Sequence, residues 1–346
     1  MSEKFIIASP ARDAGLCNRI KCIASVLRLA DIARQKPLLH WPVSFTCGAG
    51  FSGLFESNAK AVKIREISDK ELGKIRKDGN FLECSSYNDF AGNSKKYSIF
   101  SAWRFVLLPD EIPAGFARIF PENNGRYIDL EYERIPQSLR KEFLKYIKKL
   151  APAKGIRDTL GKFTKKYDFR NIVGVHARRT EFLLNADGRG SVSSDERFFE
   201  RMRQIIEKNP KTRFFLATDS KETEQNFIRE FGNKIIVFSG KNWDKSSKES
   251  IQHALIDLLL LAKTRHILGT YLSTFTEIAW WLGNCKAQVE IMGQKEDKQK
   301  VLERYKKITN QSVLVRLIRK PLKFLRARFK IFRWLIEKAL YLKNKS

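Results

Sequence analysis

Residues 171–182 read NIVGVHARRTEF. The run NIVGV is continuously apolar, the pattern of a strand buried on both faces of a parallel sheet. It ends abruptly in a histidine, two adjacent arginines, a threonine and a glutamate. The same layout then repeats downstream. Ser194 to Lys208 has helical spacing with Asp195 and Glu196 in its first turn, where carboxylates suit the helix dipole. TRFFLATD (212–219) reads as a strand and SKETEQNFIREFG (220–232) as a helix stopped by Gly232. KIIVFSG (234–240) is a strand and SIQHALIDLLLLAKT (250–264) a helix, followed by the strand RHILGTY (265–271) and the helix TFTEIAWWLG (274–283) closed by Gly283. Four strand–helix alternations in succession make a doubly wound, Rossmann-like α/β unit.

Upstream, a second α/β series opens the chain. KFIIAS (4–9) is a strand, PARDAGLCN (10–18) a polar loop, and Arg19 to about Gln35 a helix on the spacing of Ile20, Ile23, Val26, Leu27, Leu29 and Ile32. PLLHWP (37–42) is the next strand. In residues 44–130 only FSGLFE (51–56) and FARIF (116–120) stand out, as short helical or turn elements packed by aromatics. Residues 134–168 hold the helical pattern SLRKEFLKYIKKLAP and a Lys-rich stretch, read as a hinge. The expected organisation is an N-terminal α/β domain over 1–150, a Rossmann-like nucleotide-binding domain over 166–293 and a basic amphipathic tail over 298–346.

The chain has 346 residues, 43% of them apolar, with 25 Phe and 6 Trp, enough for two cores. The net charge of +28 points to an anionic partner. Half of that excess lies from Lys298 onward, where sixteen Lys and Arg face two Glu. Residues 313–342 place Leu, Ile and Phe at helical spacing with Arg and Lys between them. That composition fits a helix lying on an anionic membrane, or one packing on the catalytic domains. No nucleic-acid-binding motif accompanies the charge. Cys17, Cys22, Cys47, Cys84 and Cys285 are odd in number and show no CxxC spacing, which fits a reducing compartment better than a disulfide framework or zinc site. No signal-like h-region opens the chain and no run reaches ~20 apolar residues. The expected location is therefore cytoplasmic, peripheral at the membrane face.

Ligands of such folds bind beyond the carboxyl ends of the strands. Collecting the residues there gives Arg12, Asp13, Gly15, Asn18 and Arg19 after the first strand. His176, Arg178, Arg179 and Glu181 follow NIVGV; Thr218, Asp219 and Ser220 follow FFLA; Ser273, Thr274 and Thr276 follow RHILG. Arginine forks and hydroxyl donors on one rim suit a diphosphate. Arg178 and Arg179 are adjacent, so in an extended segment they point oppositely, one to the ligand and one to the loop. A strand-end arginine also commonly pairs with a carboxylate, and Asp219, Ser273, Thr274 and Asn18 stand where helix caps stand. GxGxxG, GxxxxGK[ST] and G-x-S-x-G are all missing, which argues against a dinucleotide dehydrogenase, a P-loop enzyme and an α/β-hydrolase. No DxD-type pair marks a metal site.

These residues resemble a family. HARRTE is similar to the HxRRTD signature of α1,6-fucosyltransferases, including the nodulation fucosyltransferases, within the α1,2-, α1,6- and protein O-fucosyltransferase superfamily. GLCNRI, FFLATDSKE and DLLLLAKTRHILGTYLSTFTE resemble three further segments of that superfamily in the same order. The resemblance implies a GT-B-like pair of Rossmann-like domains and metal-independent, inverting transfer from a GDP-sugar, GDP-fucose above all, to a glycan or lipid-linked glycan. It implies no cofactor and no metal. It gives Arg178 the β-phosphate and the leaving diphosphate, Arg179 the loop or the nucleotide, His176 and Asp257 the guanine, and Ser273 a phosphate. Asn18, Arg19, Asp219 and Thr274 complete the donor set. Glu181 stands at the family's Asp, while the family's next carboxylate position is Ala186, beside Asp187, so Glu181, Asp187 or another residue of 185–196 is left as the base. The competing reading is a Rossmann-like protein without catalysis that binds anionic membrane or nucleic acid.

Overall fold

The computed structural model describes residues 3–56, 64–84, 86–101, 105–111, 135–179, 192–293 and 296. The tail over 298–346, FARIF, Glu181 and Asp187 lie outside the described residues. Residues 1–298 form one compact unit.

Among the described residues that unit shows two five-stranded, all-parallel sheets. The first has the order β3-β2-β1-β5-β4, built from β1 (Phe5–Ala8), β2 (Lys36–Leu39), β3 (Arg65–Glu66), β4 (Phe81–Cys84) and β5 (Tyr97–Phe100). The second has the order β10-β9-β6-β7-β8, from β6 (Ile172–Ala177), β7 (Arg213–Thr218), β8 (Ile235–Ile236), β9 (His266–Thr270) and β10 (Gln288–Met292). This is the expected pairing of two Rossmann-like units in a GT-B-like α/β fold. Each sheet reverses its strand order beside its central strand, β1 or β6, and that reversal opens a crevice beyond the strand ends.

Every residue of β6 is buried, as an unalternating apolar run requires. Gly174 lets it lie close to helix α8 (Lys248–Leu261), because a Cβ there would meet Leu261 Cδ1 at 2.5 Å and Thr264 Oγ1 at 2.7 Å. KIIVFSG gives only the two-residue β8, an edge strand, and the chain leaves the sheet before Gly240.

Helix α1 (Leu16–Ala33) is buried nearly all round, polar residues included. Each buried cation there has a defined set of oxygens. Arg28 pairs with Glu111 and Glu142, and Lys21 pairs with Glu277 of α9 (Thr274–Leu282). The helical pattern SLRKEFLKYIKKLAP gives α4 (Arg140–Ile147), which packs on α1 and α9, and the Lys-rich stretch after it holds α5 (Lys154–Lys166), which packs on α8. Phe143 and Ile147 are fully enclosed and Ile156 is 4% exposed. Apolar residues at helical spacing therefore outweigh the high lysine content of this stretch. Phe105 meets Phe143 and Trp281 edge to face at 4.8 and 5.6 Å, Phe143 and Trp281 lie tilted at 6.2 Å, and one continuous core runs from Ile6 of the first sheet to Trp281. No helix among the described residues is long and apolar enough to cross a membrane.

Candidate functional site

The reversal in the second sheet falls between β6 and β9, and the paired arginines sit at its mouth. One threonine ties the two strand ends together. Thr270 Oγ1 donates to the His176 carbonyl (2.8 Å) and accepts from the Arg178 amide (2.9 Å). Thr218 at the end of β7 donates to the Ala177 carbonyl (2.7 Å). The backbone of 176–178 is thus held from both sides before the chain leaves the sheet.

The two arginines diverge. Arg179 is 6% exposed and faces inward. Its guanidinium donates to Asp195 Oδ1 through Nε (2.9 Å) and to the Arg178 carbonyl through Nη1 (2.8 Å), over the Phe198 ring. Asp195 opens helix α6 (Asp195–Lys208), so Arg179 ties the end of β6 to the start of that helix. Arg178 keeps 21% of its side chain exposed and meets Asp219 Oδ2 at 3.1 Å. Asp219 does not cap α7 (Lys221–Phe231). Ser220 does that, accepting from Thr223 N–H, while Asp219 Oδ1 accepts the Arg179 amide at 2.8 Å. The same Asp219 Oδ2 also meets Lys245 Nζ at 3.2 Å. One carboxylate therefore gathers a guanidinium and an ammonium at the strand ends, a combination suited to oxyanions.

His176 is 3% exposed, with its ring stacked on Phe275 at 4.6 Å and its Nδ1 sharing a 2.8 Å hydrogen bond with Thr276 Oγ1. Burial, and then the Arg178 charge, pull its pKa down to about 3, so the imidazole is neutral at physiological pH. Ser273 occupies the N-cap position of α9 without a side-chain cap bond, and Thr274 follows half-buried. Leu272 before them has φ 55°, the left-handed region that a leucine enters only at a cost of about 1–2 kcal/mol. Strain of this kind concentrates at ligand-binding turns.

Asp257 belongs to a second, enclosed cluster. Its side chain is 5% exposed, and Lys241 Nζ lies 3.0 Å from Asp257 Oδ2 and 3.0 Å from Glu224 Oε2. Asp257 Oδ1 is buried without a hydrogen-bond partner among the described residues, which leaves a carboxylate oxygen open to an N–H donor. Burial pushes the Asp257 carboxyl up to about 6 against the pull of Lys241. Lys241 is raised, because its two carboxylates outweigh the opposing effect of burial. Five residues, 241–245, link this cluster to the Asp219 cluster.

In the first sheet the candidates fare differently. Arg19 is fully enclosed and donates to the Ala14 carbonyl (2.8 Å), the Pro42 carbonyl (2.6 Å) and Ser44 Oγ (2.9 Å). Gly15, not Asn18, is the N-cap of α1. Asn18 lies one turn inside, half-buried, with Oδ1 lacking a partner among the described residues. Cys17 in the same turn is near enough to Lys21, Arg178 and Glu277 for their charges to act on its thiol, although burial dominates and raises it to about 12. The first turn of α1 and the paired-arginine strand end therefore share one neighbourhood. Sequence reasoning passed over Thr270, Phe275, Lys241 and Lys245. Applying the strand-end rule to KIIVFSG as well would have reached both lysines.

No family model matches the chain, and no curated protein matches it in sequence. Among solved structures it is similar to NodZ α1,6-fucosyltransferase co-crystallised with GDP, at 16% identity and TM-score 0.51 over 81% of this chain and 92% of that one. It is similar also to NodZ soaked with GDP-fucose (15%, TM-score 0.51, 81% and 93%) and to fucosyltransferase NodZ from Bradyrhizobium (15%, TM-score 0.51, 81% and 92%). At such identity the likeness shows a shared, fucosyltransferase-like fold.

Proposed function

We propose that the protein is a glycosyltransferase that takes a GDP-sugar, GDP-fucose in first place, and transfers the sugar with inversion and without a metal to a glycan or lipid-linked glycan. The observation that carries this reading is Arg178. Its amide is locked by Thr270 at the strand reversal, and its partly exposed side chain lies on Asp219. A guanidinium held in advance at that place stabilises the charge that develops on a leaving diphosphate, which is where fixed donors contribute most to rate. The unpartnered oxygen of Asp257 complements the N–H edge of guanine, and Phe275 over His176 offers a base an apolar surface. Ser273 and Thr274 are assigned to the phosphates on the motif they share with the family. The acceptor hydroxyl needs a base. Asp195 is committed to Arg179, so Glu181 and Asp187 are the carboxylates we assign to that role.

Calorimetry with GDP and GDP-fucose tests the reading directly. Micromolar or tighter binding of GDP, and about a hundredfold weaker binding after Arg178→Ala, is expected from loss of charge-assisted hydrogen bonds of about 1.5–3 kcal/mol. Equal affinity for GDP and ADP would overturn the choice of guanine. The basic stretch 313–342 we assign to anionic lipid at the cytoplasmic face. Truncation at residue 297 should then abolish sedimentation with phosphatidylserine vesicles while GDP binding persists.

A further inference from the structure

We infer that Lys245 is a second cation for the leaving diphosphate, held in place by the amino-terminal half of the chain; this rests on the nucleoside-diphosphate reading above. Lys245 Nζ and Arg178 Nη1 touch the same oxygen, Asp219 Oδ2, at 3.2 and 3.1 Å. Two cations on one oxygen are within reach of neighbouring phosphate oxygens, and the Lys245 side chain remains 25% exposed. Its position is defined by backbone contacts. The Lys245 carbonyl accepts the Gly48 amide at 2.9 Å, and Ser247 N–H closes a turn on the Asp244 carbonyl at 2.9 Å. Asp244 Oδ1 accepts from Ser246 N–H (2.9 Å) and Oγ–H (2.7 Å). Gly48 approaches so closely that a Cβ there would lie 2.0 Å from the Ser246 carbonyl oxygen and 2.7 Å from Ser247 N, both backbone atoms. At the other end of the same loop Lys241 is clamped by Glu224 and Asp257. The loop therefore joins the Asp257 cluster to the Asp219 cations, its Lys241 and Lys245 backbones at most about 14 Å apart, the length scale of a nucleoside diphosphate. The strand ends offer Arg178, and this loop offers Lys245 opposite it.

The variants are Lys245→Gln and Lys245→Arg of the full chain, with folding checked by thermal unfolding. Each is titrated with GDP, GMP, ADP, AMP and inorganic pyrophosphate. Lys245→Gln should weaken GDP about tenfold, as expected for one charge-assisted hydrogen bond, and GMP less than twofold, while Lys245→Arg restores most of the GDP affinity. A lysine that merely braces Asp219 would change GDP and GMP alike, and that result, or no change in either, overturns the inference. If wild type shows no preference for guanine but Lys245→Gln still weakens ADP and pyrophosphate selectively over AMP, the guanine reading falls and the inference stands. If wild type binds none of the five, both fall.

Discussion

Arg19 and Arg178 follow the central strands of their respective sheets, β1 and β6, yet they end in opposite circumstances. Arg19 is sealed at 0% exposure with its donors on two carbonyls and a hydroxyl; Arg178 is partly open and faces a carboxylate beside another cation. The difference lies in the loops. In the first sheet, residues 42–49 fold back over the strand end, and Pro42 and Ser44 supply the oxygens that hold Arg19. In the second, the two strand-end threonines fix the backbone and leave the Arg178 side chain to the crevice. Position after a strand therefore nominates a residue for ligand binding, and the covering loop decides whether it is available.

Three experiments put pressure on this contrast. The largest effect is expected at Arg19. Arg19→Ala leaves buried carbonyls unsatisfied and should lower the unfolding free energy by about 3 kcal/mol, while the folded protein binds GDP as wild type does. Arg178→Ala should do the reverse. Urea midpoints beside calorimetric titrations read both, and a stable Arg19→Ala protein with weak GDP binding would break the contrast. Next, Gly48→Ala forces the loop over the first rim away from the backbone of residues 246 and 247. Overpacking of this kind costs about 1–3 kcal/mol, so the urea midpoint should fall with the slope unchanged, and GDP binding should weaken as well because the same contact positions Lys245. The smallest effect at neutral pH concerns Asp257, whose folded carboxyl titrates at about 6. The ionised form accepts the guanine edge, so binding is complete well above pH 6 and falls by up to about tenfold per unit as pH drops below it. Asp257→Asn should bind GDP weakly and without that slope. A wild-type profile that stays flat between pH 5 and 7 would remove Asp257 from base recognition.

Much of the second unit was legible because strands buried on both faces announce themselves as unbroken apolar runs. NIVGVHA, RFFLAT and HILGT, each followed by a helix, correspond to β6, β7 and β9. The first unit was harder. Its edge strands are short, β3 being two exposed residues and β4 having two exposed positions of four, so neither carries a period. Helix α1 hid its centrality behind Arg19, Lys21 and Arg28, which mimic a solvated face. Their partners are a carbonyl at 42, a carboxylate at 277 and carboxylates at 111 and 142, distances in sequence that no local pattern reveals. The same reason concealed Lys241 and Lys245. Because β8 ends after Ile236, the loop carrying them reads as ordinary polar surface, and only the fold brings it against Asp257 and Asp219.

The aromatic junction of Phe105, Phe143 and Trp281 bears on how substrates enter. Prising the two sheets apart would return three enclosed aromatic side chains to water, each carrying roughly 150–250 Å² of surface. At about 25 cal/mol per Å² that is on the order of 10 kcal/mol, while a ligand shifts an equilibrium only by its differential affinity, about 5.5 kcal/mol for a near-complete switch. Ligand binding alone is therefore not expected to separate the two sheets, which stay joined through this core.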